Sequence, residues 1–313
     1  MALDAGTTTF VTGAAGFIGI ELVRVLSARG HQVFGLTGSA EGAERVRRAG
    51  GVPVPGDLLQ SGKWQDEAPA DWVFHLAPHP VCGPRLTRRH TETIARARVL
   101  MDSRLLEAVE GGATRRIIYL SDTSYYGPTG RRGITEDEPV TASAWGRCLT
   151  PALDRVDGYV LAGLPIVTAF TGWVYGTGSW FRDRVIKPVM GGRRVLQVGR
   201  PGPWVSPIHV HDCARALVHL AEHGAAGSRY FLVNRDPIRM HEFAETFARL
   251  ADRPLRVLRV PAAATRLVLG PVLADYLQAD AVFSNIRLRG LGFHFRYPTL
   301  EQGLQEVLGA LDE

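Results

Sequence analysis

Short apolar runs alternate with longer stretches whose apolar residues recur three or four apart. Residues 7–12 read as a strand and 17–29 as a helix; 32–36, 52–55, 72–76, 116–120 and 165–170 read as further strands. A second helix is predicted over 40–49. A third covers about 92–111, where Ile94, Leu100, Leu105, Leu106 and Val109 keep helical spacing. Strands alternating with helices predict an α/β fold, a doubly wound parallel sheet of Rossmann type with helices on both faces. Beyond about residue 171 the pattern loosens, and Trp, Gly and Pro become frequent over 172–207. The chain therefore divides into a sheet domain over 1–170, with a return segment near 205–235, and a smaller C-terminal cap built from 171–204 and 236–313.

Composition narrows the class. Of 313 residues, 45% are apolar and 21% charged, which excludes a disordered, collagenous or coiled-coil chain. The net charge of +5 is carried by arginine, since lysine occurs only at Lys63 and Lys187. The arginines are scattered and form no basic stripe, so no nucleic-acid partner is expected. Cys82, Cys148 and Cys213 match no disulfide framework or zinc motif. With no charged, then apolar, amino-terminal leader and no apolar run of about 18 residues, the expectation is a cytoplasmic protein without a membrane span. No metal site is expected, on the reading that no carboxylate or histidine cluster has helical ligand spacing.

The strongest motif is Thr12-Gly13-Ala14-Ala15-Gly16-Phe17-Ile18-Gly19, between the first strand and the first helix. Gly13 permits the tight turn, Gly16 lets backbone amides approach a pyrophosphate, and Gly19 lets the helix pack close to the sheet. From here the chain resembles the extended short-chain dehydrogenase/reductase family, of the NAD-dependent epimerase/dehydratase type. Gly56-Asp57-Leu58, His75-Leu76-Ala77, Tyr119 to Gly127, Gly172 to Gly176, Ser206 to Asp212 and Leu291 to Pro298 carry the same resemblance. It implies a nicotinamide cofactor held by Gly13, Ala15, Gly16, Phe17, Ile18, Thr37, Ser39, Asp57, Leu58, Leu76 and Ala77. It also implies a homodimer through helices near 92–111 and 144–163, and a small-molecule substrate.

An acid at the end of the second strand selects NAD. Here that position is Thr37, followed by Gly38 and Ser39, with Arg45, Arg47 and Arg48 just beyond. The reading favours NADP and keeps NAD as the alternative.

The catalytic pattern of the family breaks. Its tyrosine and the lysine four residues later fall at Trp145 and Leu149, and its serine or threonine falls at Asp122. Neither lysine of this chain has a tyrosine four positions before it. An indole has no useful pKa near neutrality, so alcohol oxidation through a phenolate is disfavoured. The residues left near the site are Asp122, Thr123, Ser124 and Tyr125, with Arg147 and Cys148 on the following helix. Asp122, Tyr125 and Thr123 are the catalytic candidates. Asp122 reads either as an acid or base of raised pKa or as an ionised group bonded to loop amides. Trp145, Trp173, Tyr175 and Trp180 are the candidate walls of a substrate pocket.

Three functions follow. The first is hydride transfer between NAD(P)H and an activated acceptor on a small organic, secondary-metabolite substrate, without the usual Tyr/Lys pair. The second is a non-redox lyase, cyclase or isomerase on the same fold. The third is a non-catalytic cofactor sensor.

Overall fold

A computed structural model describes residues 6–78, 86–141, 143–199 and 202–311. Cys82 lies outside the described residues. In chain order the first part is β1 (Thr8–Thr12), α1 (Phe17–Ala28), β2 (Gln32–Thr37), α2 (Ala40–Arg48), β3 (Val52–Pro55), α3 (Trp64–Glu67) and β4 (Trp72–His75). It continues with α4 (Arg88–Val109), β5 (Arg116–Asp122), α5 (Gly146–Leu161) and β6 (Ile166–Thr171). The chain then leaves the sheet through β7 (Trp173–Tyr175), α6 (Ser179–Phe181), a π turn (Arg182–Ile186), α7 (Lys187–Met190), β8 (Arg194–Val198), β9 (Trp204–Val205) and β10 (Pro207–His209). It returns through α8 (Val210–His223) and β11 (Arg229–Leu232). The remainder is β12 (Ile238–Arg239), α9 (Glu242–Leu250), β13 (Arg256–Val260), α10 (Ala262–Leu269), α11 (Pro271–Tyr276), α12 (Ile286–Gly290) and α13 (Leu300–Gly309).

The central sheet has seven parallel strands in the order β3-β2-β1-β4-β5-β6-β11. Apolar side chains leave it on both sides, as a parallel sheet covered on both faces requires. Leu105 and Leu106 of α4 and Leu153 and Val156 of α5 bury one face. Leu22 and Leu26 of α1 with Leu217 and Leu220 of α8 bury the other. A third apolar cluster, around Phe181, Phe243 and Phe247, forms the core of the C-terminal part.

Two departures from the predicted elements bear on the site. The fourth helix starts at Arg88, earlier than the apolar spacing indicated, because its first turn is polar and is capped by Thr87 through a capping box. The fifth strand runs on to Asp122, paired with Thr171 of β6, which puts that carboxylate at the carboxyl edge of the sheet. The strand order reverses between β1 and β4. In an open parallel sheet the ligand crevice opens there, at the carboxyl ends of the strands.

Candidate active site

The turn after β1 fills that crevice. Gly13 takes a φ of +67°, and a Cβ there would stand 2.9 Å from the Ala77 amide nitrogen. Gly16 caps α1 with extended backbone and no side-chain hydrogen bond, so the first amides of a twelve-residue helix stay open to an anion. A Cβ on Gly16 would reach 3.0 Å from the Gly13 carbonyl oxygen; on Gly19 it would reach 2.1 Å from the same atom. The loop is thus a cradle that side chains would fill. Gly13, Gly16, Phe17, Ile18, Gly19 and Leu76 line a crevice of about 520 Å³. The Phe17 ring meets the backbone of Gly176 and Gly178 on its far side, tying the loop to the C-terminal part.

Beneath the loop lies a buried polar network that the residue pattern did not reveal. Thr12 Oγ1 accepts from the Ala77 amide at 3.3 Å and meets His75 Nδ1 at 2.6 Å. With the hydroxyl proton given to Nδ1, His75 Nε2 donates to Asp102 at 2.7 Å, and the Tyr119 hydroxyl donates to the other carboxylate oxygen at 2.6 Å. Arg98 donates to Tyr119 at 3.1 Å and to the Leu120 carbonyl at 2.8 Å. Burial works against the Asp102 charge, but Arg98 and the two hydrogen bonds hold its carboxyl below the usual value.

At the far rim, Thr37 and Ser39 flank the start of α2, and Ser39 Oγ accepts from the Gly42 amide at 3.0 Å as its N-cap. Arg45 folds back and donates to the Ala15 carbonyl, against the glycine loop. Arg47 and Arg48 instead pair with Glu44 on the exposed face, at 3.6 and 3.0 Å. Asp57 is exposed and accepts from the Leu59 amide at 2.9 Å, while Leu58 is buried beside it.

The catalytic candidates separate. Asp122 lines the crevice together with the glycine loop. Burial pushes its carboxyl above the usual range, against the opposing pull of Ser124, whose amide donates to it at 2.6 Å. Thr123 lines a small adjoining chamber. Tyr125 does neither. It is buried in the core, stacked on Phe170 at 5.6 Å and under the Arg229 guanidinium. The 3-10 turn after β5 points its ring under the sheet, so its place does not fit the proton-transfer role expected of it. Cys148 is likewise sealed, and burial pushes its thiol up to about 12.

Trp145 and Leu149 stand at the start of α5, which packs so tightly on the loop after β5 that a Cβ at Gly146 would reach 2.2 Å from the Ser124 carbonyl oxygen. Leu149 is core and Trp145 is half-buried. Trp173 and Trp180 line the crevice, meeting edge to face at 5.1 Å. Tyr175 was expected beside them, but it is wholly buried in the C-terminal core, among Phe181, His209 and Phe243. The pleat puts Trp173 and Tyr175 on one face of β7, but the packing of Phe181, His209 and Phe243 around Tyr175 seals its ring in that core, so it is no pocket wall.

One residue went unnoticed in the sequence. Tyr276, the last residue of α11, lines both the crevice and the small chamber. Its ring stacks on Trp173 at 5.4 Å and leans on Trp145 at 6.4 Å. Burial, then the nearby Asp122 charge, pushes its hydroxyl well above the usual tyrosine value. No local signal marks it, since it lies far along the chain from the glycine loop and β5.

The expectation that no histidine cluster has ligand spacing needs correcting. His219, Glu222 and His223 share one face of α8, with ligand atoms all within 4.8 Å of one another. His219 Nε2 donates to the Leu291 carbonyl at 3.0 Å, and Glu222 accepts from Arg29 at 3.0 Å. Among the described residues no helix is long and apolar enough to cross a membrane.

The profile of the NAD dependent epimerase/dehydratase family matches residues 9–234. The chain belongs to this family. An uncharacterized protein of Schizosaccharomyces pombe is 30% identical over 260 residues, covering 79% of this chain and 81% of that one. An epimerase family protein of Mycobacterium leprae is 25% identical over 309 residues, covering 94% and 93%. Among solved structures, human epimerase family protein SDR39U1 with NADPH superposes with a TM-score of 0.79 at 21% identity, covering 96% of this chain and 99% of that one. The UDP-glucuronic acid 4-epimerase of Bacillus cereus with NAD gives 0.80 at 18%, covering 97% and 98%. The family is NAD dependent, and the open cradle at Gly13 and Gly16 fits a dinucleotide pyrophosphate.

Proposed function

We propose that this family member is a hydride-transfer enzyme, using NADP in preference to NAD, that acts on an activated acceptor group of a small organic substrate. The observation that carries this reading is the sharing of one crevice by Asp122, Tyr276 and the glycine loop; it is read together with the resemblance that sets Trp145 and Leu149 where the family has its tyrosine and lysine. When bound, the nicotinamide supplies or accepts a hydride. Gly13, Gly16 and the first amides of α1 hold the pyrophosphate; Asp57 and Leu58 flank the adenine. Thr37 offers no carboxylate to repel a 2′-phosphate, and Arg45 beside Ala15 supplies positive charge at that rim.

Asp122 and Tyr276 divide the proton work. Neither Lys63 nor Lys187 lines the crevice. With no cation lining the crevice among the described residues, the Tyr276 phenol keeps its proton. A protonated phenol donates a hydrogen bond to an oxygen that gains negative charge, which suits reduction of an acceptor better than oxidation of an alcohol. Asp122, with its carboxyl raised by burial, serves as the proton store behind it.

The test uses NADPH deuterated at the transferring carbon and an electron-poor probe, 4-nitrobenzaldehyde, in single turnover. An isotope effect is expected, and Tyr276→Phe lowers the rate about 100-fold with NADPH affinity unchanged. Product formed from a substrate with no isotope effect and no net change of cofactor favours the lyase, cyclase or isomerase reading instead.

A further inference from the structure

A second cavity, of about 180 Å³, lies on the other side of the tryptophan wall. Trp173, Trp180 and Leu277 line both it and the glycine-loop crevice, so the two chambers share a partition. The partition is stiff: Trp180 Nε1 donates to the Val174 carbonyl at 2.8 Å, and Trp173 is stacked on Tyr276. The far wall is apolar, with Val185, Val195 and Met240, and Val185 is presented by the π turn that interrupts the helix there. One polar group in this wall has nothing to bind. The Gln197 amide nitrogen is shut off from solvent and makes no hydrogen bond in the protein. A buried donor left unsatisfied is costly, and such groups recur where a ligand completes them.

We propose that this cavity binds the aromatic ring of an extended substrate, with a carbonyl-type acceptor on the ring meeting the Gln197 amide. The proposal rests on the hydride-transfer reading above, since it supplies the far end of the molecule that reacts at Asp122 and Tyr276. The size fits: an apolar protein cavity of about 150 Å³ takes a benzene ring. The chemistry fits as well, because aromatic rings pack edge to face against indoles such as those of Trp173 and Trp180. A nucleotide sugar fits poorly. Its diphosphate needs buried positive charge, and among the described residues of the wall the one arginine, Arg184, is exposed.

The experiment compares acetophenone with ethylbenzene, which differ by the carbonyl oxygen, in ligand-observed NMR titrations of the protein with NADPH. Acetophenone is expected to bind about tenfold tighter. Gln197→Leu, close in shape, removes that preference and leaves ethylbenzene binding unchanged. Met240→Trp fills the cavity and weakens both probes at least tenfold without changing NADPH affinity. UDP-glucose displaces neither probe. The proposal is overturned if Gln197→Leu keeps the preference, if Met240→Trp leaves both affinities unaltered, or if UDP-glucose competes. Because binding is read without turnover, its failure is separate from that of the hydride-transfer reading. Expected binding with no isotope effect on any carbonyl substrate would defeat the reaction and leave the cavity's ligand class standing.

Discussion

Asp102 and Asp122 lie close to the same carboxyl edge of the sheet, yet their surroundings drive them in opposite directions. Asp102 is sealed on the buried face of α4, where His75, Tyr119 and Arg98 surround its carboxylate. Its charge is kept, and the carboxyl sits below its usual value. Asp122 is half-buried, receives the Ser124 amide, and faces an aromatic crevice, and among the described residues no ion pair reaches it. Its carboxyl is raised. Burial alone disfavours both charges. The difference is the partner set, and it separates a carboxylate that holds a fold together from one placed to handle a proton.

The largest test breaks the first half of the comparison. Asp102→Ala leaves Arg98 buried beside Tyr119 with no counter-charge, which costs about 3–5 kcal/mol in comparable pairs. Urea denaturation should show that loss. The folded Asp102 carboxyl titrates below its unfolded counterpart. Its contribution is therefore present above the unfolded value of about 4 and is lost as pH falls through the folded value. The variant should flatten the acid side of the stability profile. An unchanged midpoint in urea would mean that the network is decorative.

Asp122→Asn tests the other half. Turnover is expected to drop about 100-fold, with cofactor affinity retained. Here the sign of the stability effect reverses. A carboxyl raised in the folded state destabilises at pH above its folded value and is relieved as pH falls through it. The asparagine variant should thus be no less stable than the parent at pH 7, and the rate should lose the decline with rising pH that a protonated Asp122 imposes. A variant that keeps that decline would assign it to another group.

The smallest effect comes from adding a third carboxylate in a third environment. Position 37 is at the open rim, where a charge keeps its water. Thr37→Asp should act only through the ligand, accepting from ribose hydroxyls and repelling a 2′-phosphate. Calorimetry should show preference moving from NADPH toward NADH by about tenfold, or about 1.4 kcal/mol, with no change in denaturation midpoint. A parent protein that already prefers NADH by that margin would contradict the NADP reading.

The glycine loop, the alternation of strand and helix, and the missing Tyr/Lys pair were all legible in the sequence because each is local. Gly13 and Gly16 declare a turn that other residues fit poorly, apolar spacing declares an element, and the absence of any lysine four residues after a tyrosine needs no structure to see. The direction of an aromatic side chain is not local in the same way. Tyr125 looked like a catalytic residue and Tyr175 like a pocket wall, but the turn after β5 and the packing of Phe181 and Phe243 on β7 take both rings into cores. Tyr276 looked like nothing, and only the docking of α11 on Trp173 brings it to the crevice. The same holds for the sealed network: Thr12, His75, Asp102 and Tyr119 come from β1, β4, α4 and β5, and their hydrogen bonds exist only once the sheet order places those elements side by side. Turns and periods follow from forces between near neighbours in the chain. Which carboxylate keeps its charge depends on partners supplied by distant segments, and so it was decided by the tertiary structure.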